Sequence, residues 1–227
     1  MRQLLLRACV SILISSTAAA LAHDAPKPIP APAADNPRQP GQAQTAVLAG
    51  GCYWGMQGVF ERVKGVRQVV AGFSGMPSGE DQLMHRGGTP AESVQITFDP
   101  NQISYGQILQ IYFSVAHDPT EVDRQGPDVG PQYRSVIYYS DDTQQKIAQS
   151  YIQQLQSTGS FGGAIATQVE PLVRFHRVAD SEQDYTLKHP ASSYVLGVDM
   201  PKLAALKSIF PSLYLESPVT LSGSSPS

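Results

Sequence analysis

The sequence predicts an α+β domain built on a split βαβ, ferredoxin-like core sheet, with helices laid on it. Three observations lead there. Runs of strand character fall at about residues 45–49, 66–73, 91–98 and 135–139. Helix-period segments follow the first and the third of them. More strand and helix signals come after the fourth, so the core carries C-terminal extra elements and long loops. At 227 residues, with 41% hydrophobic and 15% charged residues, the chain can bury one such domain with appendages. Its net charge of −3 contains no basic block, which argues against a nucleic-acid groove.

Residues 1–22 read as a secretory signal. Arg2 and Arg7 precede an apolar stretch, and Ala20-Leu21-Ala22 offers a small-x-small cleavage site before His23. The stretch is shorter than the ~20 residues that a spanning helix needs. A lipid-modified Cys9 is the weaker alternative, because no apolar core precedes it. The expectation is an exported chain, in the bacterial periplasm, with no stable membrane association after cleavage. Cleavage would discard Cys9, leave Cys52 as the only thiol and rule out an intramolecular disulfide. Residues 23–43 hold six prolines without a period and read as a disordered or extended leader. The folded domain is expected at 44–215, and the Ser, Gly and Pro of 216–227 read as a flexible tail.

The first strand ends in Gly50-Gly51, and Met56, Val59, Phe60 and Val63 then recur at helical spacing. This strand, turn and helix put Cys52 at a helix N-terminus, where free N–H groups favour a thiolate. Cys52 is then either a nucleophile or a small buried apolar residue. The helix is expected to stop near Lys64-Gly65. In the third strand Glu92 shares a face with Val94, Ile96 and Phe98. A carboxyl facing a core must find a partner or keep its proton. The pattern alone favours the plainer alternative, that Glu92 sits at a wet strand end.

Ser104 and Gln107 form a candidate capping box for a helix carrying Ile108, Leu109, Tyr112, Phe113 and Ala116. The loop 117–132 holds three prolines and two glycines, and loops of that length are often functional. Within and after it, Asp128 and Tyr133 are polar candidates, while His117-Asp118 reads as helix termination. Asp141 or Asp142 caps the next helix, with Ala148, Tyr151, Ile152 and Leu155 on its inner side. Residues 167–175 read as one edge strand broken by Pro171, and Pro201 opens a last helix. No cluster has metal-ligand spacing.

The pentapeptide Gly51-Cys52-Tyr53-Trp54-Gly55 closely resembles the Gly-Cys-Phe-Trp-Gly signature of the methionine sulfoxide reductase A family. The likeness continues through Pro90-Ala91-Glu92, His117-Asp118-Pro119-Thr120, Arg124-Gln125-Gly126-Pro127-Asp128, Gln132-Tyr133-Arg134 and Gln183-Asp184-Tyr185. It spans about residues 45–190. The resemblance implies that Cys52 attacks a sulfoxide sulfur and becomes a sulfenic acid, while Glu92 serves the sulfoxide oxygen. It implies that Tyr53 and Trp54 wall the S-methyl group, and that Asp128 and Tyr133 orient substrate and acid.

It further implies reduction of the S epimer, oxidised proteins or peptides as substrates, and no cofactor beyond an external thiol reductant such as thioredoxin. A monomer is expected. There are departures: Tyr53 replaces phenylalanine and Pro90 stands where histidine is common. Glu80 occupies the place of the family's second tyrosine, and Glu182 stands where the family often has histidine. No second cysteine follows Tyr194 to resolve the sulfenic acid, so the resolving thiol is expected to be external. The rival readings are a thiol hydrolase using Cys52 with His117, and an inert sulfoxide-binding or redox-sensing relative.

Overall fold

A computed structural model describes residues 29–36, 41–75 and 89–221. The expected signal segment, Cys9 and Glu80 lie outside these residues. Strand β1 (Gln44–Ala49) enters the turn at Gly51, whose φ of +94 suits glycine. Helix α1 (Tyr53–Phe60) follows, with Cys52 at its N-cap position. It ends at Phe60 and closes in tight turns, a few residues short of the expected stop. Gly65, with φ +93, then turns the chain into β2 (Val66–Ser74). Strand β3 (Ala91–Phe98) leads to α2 (Tyr105–Ile111), which does carry the Ser104–Gln107 capping box. A π-turn, Tyr112–Ala116, extends α2.

The loop after it folds on itself as a small hairpin of β4 (Arg124–Gln125) and β5 (Asp128–Val129). Strand β6 (Val136–Tyr139) and helix α3 (Asp142–Ser157, capped by Asp141) complete the core. The remaining elements are β7 (Gln168–Pro171), β8 (Phe175–Arg177), α4 (Tyr185–Lys188) and α5 (Met200–Ile209). The six-stranded sheet runs β7-β6-β1-β3-β2-β8, and every pairing in it is antiparallel except β6 with β7.

The expected single edge strand at 167–175 is corrected. Pro171 ends β7 at one edge, and the chain resumes as β8 at the other. Residues 172–174 span the back of the curled sheet. There Leu172 and Phe175 pack on Val47, Ala49, Ala91, Val136 and Tyr138. The opposite face holds the main core, where Leu48, Val94, Ile96 and Phe98 meet Met56, Val59 and Phe60 of α1 and Ile108 of α2.

Parts of both flanking segments are described. Over residues 29–36 the leader is a docked strap, with Ile29 in the main core. Tyr151 donates to the Pro30 carbonyl at 2.8 Å, and Asp35 accepts the Gly106 N–H at 2.8 Å, at the start of α2. Proline lowers the entropy of holding such a segment extended, and α3 supplies donors along it. Over residues 216–221 the tail is held as well, by Val219 N–H to Glu61 O at 2.8 Å and Leu221 N–H to Asp184 at 3.3 Å.

Candidate functional site

The turn from β1 into α1 sets Cys52 against the end of β3. Gly51 packs there on Gln125, with 2.7 Å from where a Cβ would sit to the Gln125 Cβ. Cys52 is the only free cysteine among the described residues and is buried, at 8% exposure. The Trp54 N–H in the first turn of α1 faces its sulfur, as the helix position predicts. The net shift nevertheless runs the other way. Burial and the neighbouring Glu92 carboxylate push the thiol up to about 12, outweighing the Trp54 N–H and the Tyr194 hydroxyl that favour the thiolate. The expectation of a lowered pKa is corrected: desolvation exceeds the pull of a helix only eight residues long.

Glu92 is half-buried and partnered, which removes the wet-end alternative. It accepts the Tyr53 N–H at 3.0 Å, so β3 and α1 are joined at the site. Burial first, then the charges of Asp128 and Glu182, push its carboxyl up to about 7, against the pull of the Tyr53 N–H. Near neutral pH much of it is therefore a neutral acid that can donate a proton.

Trp54 is held on three sides. Tyr185 stacks on it at 3.6 Å and 7°, Tyr194 meets it edge-on at 5.8 Å, and Glu182 accepts its Nε1–H at 3.1 Å. Tyr53 sits edge-on to Phe73 at 5.8 Å and its hydroxyl donates to Glu182 at 3.4 Å. Asp128, on β5, accepts the Tyr194 hydroxyl at 2.5 Å. Tyr133 is raised by burial and then by the charges of Glu92, Asp128 and Cys52, so it faces the same centre. The structure thus brings together all six residues singled out from the sequence: Cys52, Glu92, Tyr53, Trp54, Asp128 and Tyr133.

Four participants escaped the sequence reading. Tyr194 comes from the far C-terminal part with no periodicity to mark it, and Tyr185 stood in the Gln183-Asp184-Tyr185 motif without a role. Glu182 was visible only as a departure from the family pattern. Asp199 lies fully buried against Gly55, with neither carboxylate oxygen hydrogen-bonded. Burial holds it up at about 6, with Lys202 pulling down.

His117 is not at the sulfur. Its Nδ1 pairs with the Tyr112 carbonyl at 3.0 Å and its Nε2 with the Thr167 hydroxyl at 3.3 Å. Its ring stacks on Tyr112, and burial drops its pKa to about 3. It is a neutral packing residue with both nitrogens occupied. Asp118 turns away from it and caps Thr120.

Among the described residues a buried thiol, a carboxyl raised to about 7 and an aromatic wall meet on an α+β sheet, and they form the candidate active site. Comparison with known proteins sharpens this. The family model described as peptide methionine sulfoxide reductase matches residues 44–212. The peptide methionine sulfoxide reductase MsrA 2 of Mesorhizobium japonicum is 47% identical over 189 residues, covering 82% of this chain and 96% of that one. The protein of the same description from Synechocystis is 47% identical, covering 70% and 76%. Among solved structures, methionine sulfoxide reductase A of Corynebacterium diphtheriae matches with TM-score 0.53 and 30% identity, over 68% and 78% of the two chains. Reduced Mxr1 of Saccharomyces cerevisiae matches with TM-score 0.55 and 26% identity, over 69% and 91%. The chain belongs to the peptide methionine sulfoxide reductase family.

Proposed function

We propose that this chain reduces the S epimer of methionine sulfoxide, protein-bound and free, with Cys52 as nucleophile and Glu92 as proton donor. The observation that carries the reading is the meeting of the Cys52 sulfur and the neutral Glu92 carboxyl beside the wall of Tyr53 and Trp54. The S-methyl group rests against that wall and the sulfoxide oxygen turns toward Glu92. The sulfur–oxygen bond is strongly polarised, so a proton delivered to oxygen makes the sulfur electrophilic.

Cys52 attacks that sulfur. Glu92 hands its proton to the oxygen and takes the thiol's proton in exchange, ending the cycle as it began. The net change is thiol plus sulfoxide to sulfenic acid plus thioether, so one oxygen moves and nothing else is needed. Tyr133 steadies the oxygen, while Tyr194, its hydroxyl proton held by Asp128, borders the site in place of the tyrosine that Glu80 replaces. Asp128 orients Tyr194 through its 2.5 Å hydrogen bond.

Resolution of the sulfenic acid falls to an external thiol, thioredoxin-like or small. Its sulfur condenses with the sulfenic acid to give a mixed disulfide and water, and a second thiol then frees Cys52. Export to the periplasm and repair of oxidised exported proteins complete the proposal. They rest on the N-terminal sequence alone. We also read the antiparallel order β6-β1-β3-β2 as the split βαβ core.

The occupied nitrogens of His117 disfavour the hydrolase reading. An inert relative is separated by turnover. The two epimers, offered separately with dithiothreitol and then with thioredoxin, should give reduction of S alone. Equal reduction of both, or of neither, overturns the proposal.

A further inference from the structure

The carboxylate of Glu182 has two neighbours that hold it and none that neutralises it. It ends the short turn Asp180–Glu182 and accepts from Trp54 Nε1 at 3.1 Å and Tyr53 Oη at 3.4 Å. The nearby cations are occupied elsewhere. Arg177 pairs with Asp180, and the Lys188 ammonium donates to the carbonyls of Asp180 and Gln183. Among the described residues no ion pair reaches Glu182. Its side chain is half-buried, so its charge is only partly screened.

We infer that Glu182 makes this pocket prefer peptides in which methionine sulfoxide is flanked by lysine or arginine. The inference rests on the reductase reading, which seats the sulfoxide's methyl group on the Tyr53 and Trp54 wall. Both polar handles of that wall end on Glu182, so a bound side chain lies beside an unneutralised negative charge. A neighbouring peptide residue is only ~3.5 Å further along an extended backbone, and a lysine or arginine side chain spans that gap. Asp128 faces the same space and adds charge of the same sign, so an acidic neighbour is repelled.

Binding can be read without turnover. Trp54 is the only tryptophan in the chain, so its fluorescence reports on the wall itself. In Cys52→Ser protein, blocked tripeptides carrying lysine, alanine or glutamate on both sides of methionine sulfoxide are titrated at low and high salt. The lysine peptide should bind about tenfold more tightly than the glutamate peptide at low salt, and less so at high salt. Adding Glu182→Gln keeps an acceptor for Trp54 and removes the charge, and the ratio should fall about threefold. Glu182→Asp retains the charge and should retain most of the preference.

A ratio that is the same with and without the charge, or no preference at low salt, overturns the inference. Turnover of the alanine peptide by the unsubstituted protein is measured alongside. Its absence would sink the reductase reading while leaving the charge preference to stand or fall on the titrations.

Discussion

In the proposed mechanism the Cys52 thiol is protonated at rest, and the chemistry follows from that. Burial and Glu92 hold Cys52 at about 12, so the sulfur waits as a thiol until a sulfoxide offers its proton somewhere to go. Cys52→Ser should leave thermal unfolding near unchanged and abolish sulfoxide reduction. Glu92→Gln removes the exchangeable proton and should slow single-turnover reduction by about a hundredfold. The pH profile has a definite sign. The donor is the neutral acid, so the single-turnover rate of the unsubstituted protein should fall as pH rises through about 7. The Glu92→Gln protein should be slow with no inflection there; an unchanged inflection would assign it to another group.

Most of this centre was legible in the sequence because its members sit in short, contiguous motifs around 51–55, 90–92 and 128–134. The sign of the Cys52 shift was not, since desolvation depends on what packs over a residue and no local pattern encodes that. The part of Tyr194 stayed hidden for the same reason, and Tyr185 stood in a quoted motif with no role attached.

At the scale of elements, α1 is fitted so closely that its glycines are contact surfaces. A Cβ on Gly58 would stand 2.7 Å from the Thr186 hydroxyl of α4. Alanine normally improves a helix by ~1 kcal/mol over glycine. Gly58→Ala should do the reverse and cost about 2 kcal/mol in urea unfolding, because the β-branched Thr186 has little room to turn. A gain in stability would show that α4 can yield.

The larger strands and helices were readable from periodicity, with ends within a few residues, while the hairpin β4–β5 and the short α4 were not. The division of 167–175 was not. Pro171 marked an interruption, but nothing local says that the chain will cross the sheet to the opposite edge. That crossing follows from the curl of the whole sheet.

At the scale of the whole molecule, the described flanking segments 29–36 and 216–221 are both tied to the domain. Asp35 caps α2 from outside through Gly106 N–H, and Asp35→Ala should cost about 1 kcal/mol in urea unfolding. An unchanged midpoint would mean that the strap adds nothing. Composition alone made this segment look unstructured, since its anchors are backbone groups, one isoleucine and one aspartate without a periodic pattern. At the far end of α1, Glu61 is 1% exposed beside Asp184. Burial first, then Asp184, raise its carboxyl from 4.5 to about 9. The native state then binds more protons than the unfolded chain between those limits, so stability falls as pH rises through that window. Glu61→Gln should flatten the slope and add about 2 kcal/mol near the alkaline end, with little change at acid pH.

Identity of the oxygen acceptor is the most direct check on the chemistry. The protein is mixed with one equivalent of the S epimer, no reductant is added, and Cys52 is trapped and sequenced by mass spectrometry. One added oxygen on Cys52 is expected, with one equivalent of methionine released. Methionine released while Cys52 stays a plain thiol, or oxygen found on another residue, would contradict it.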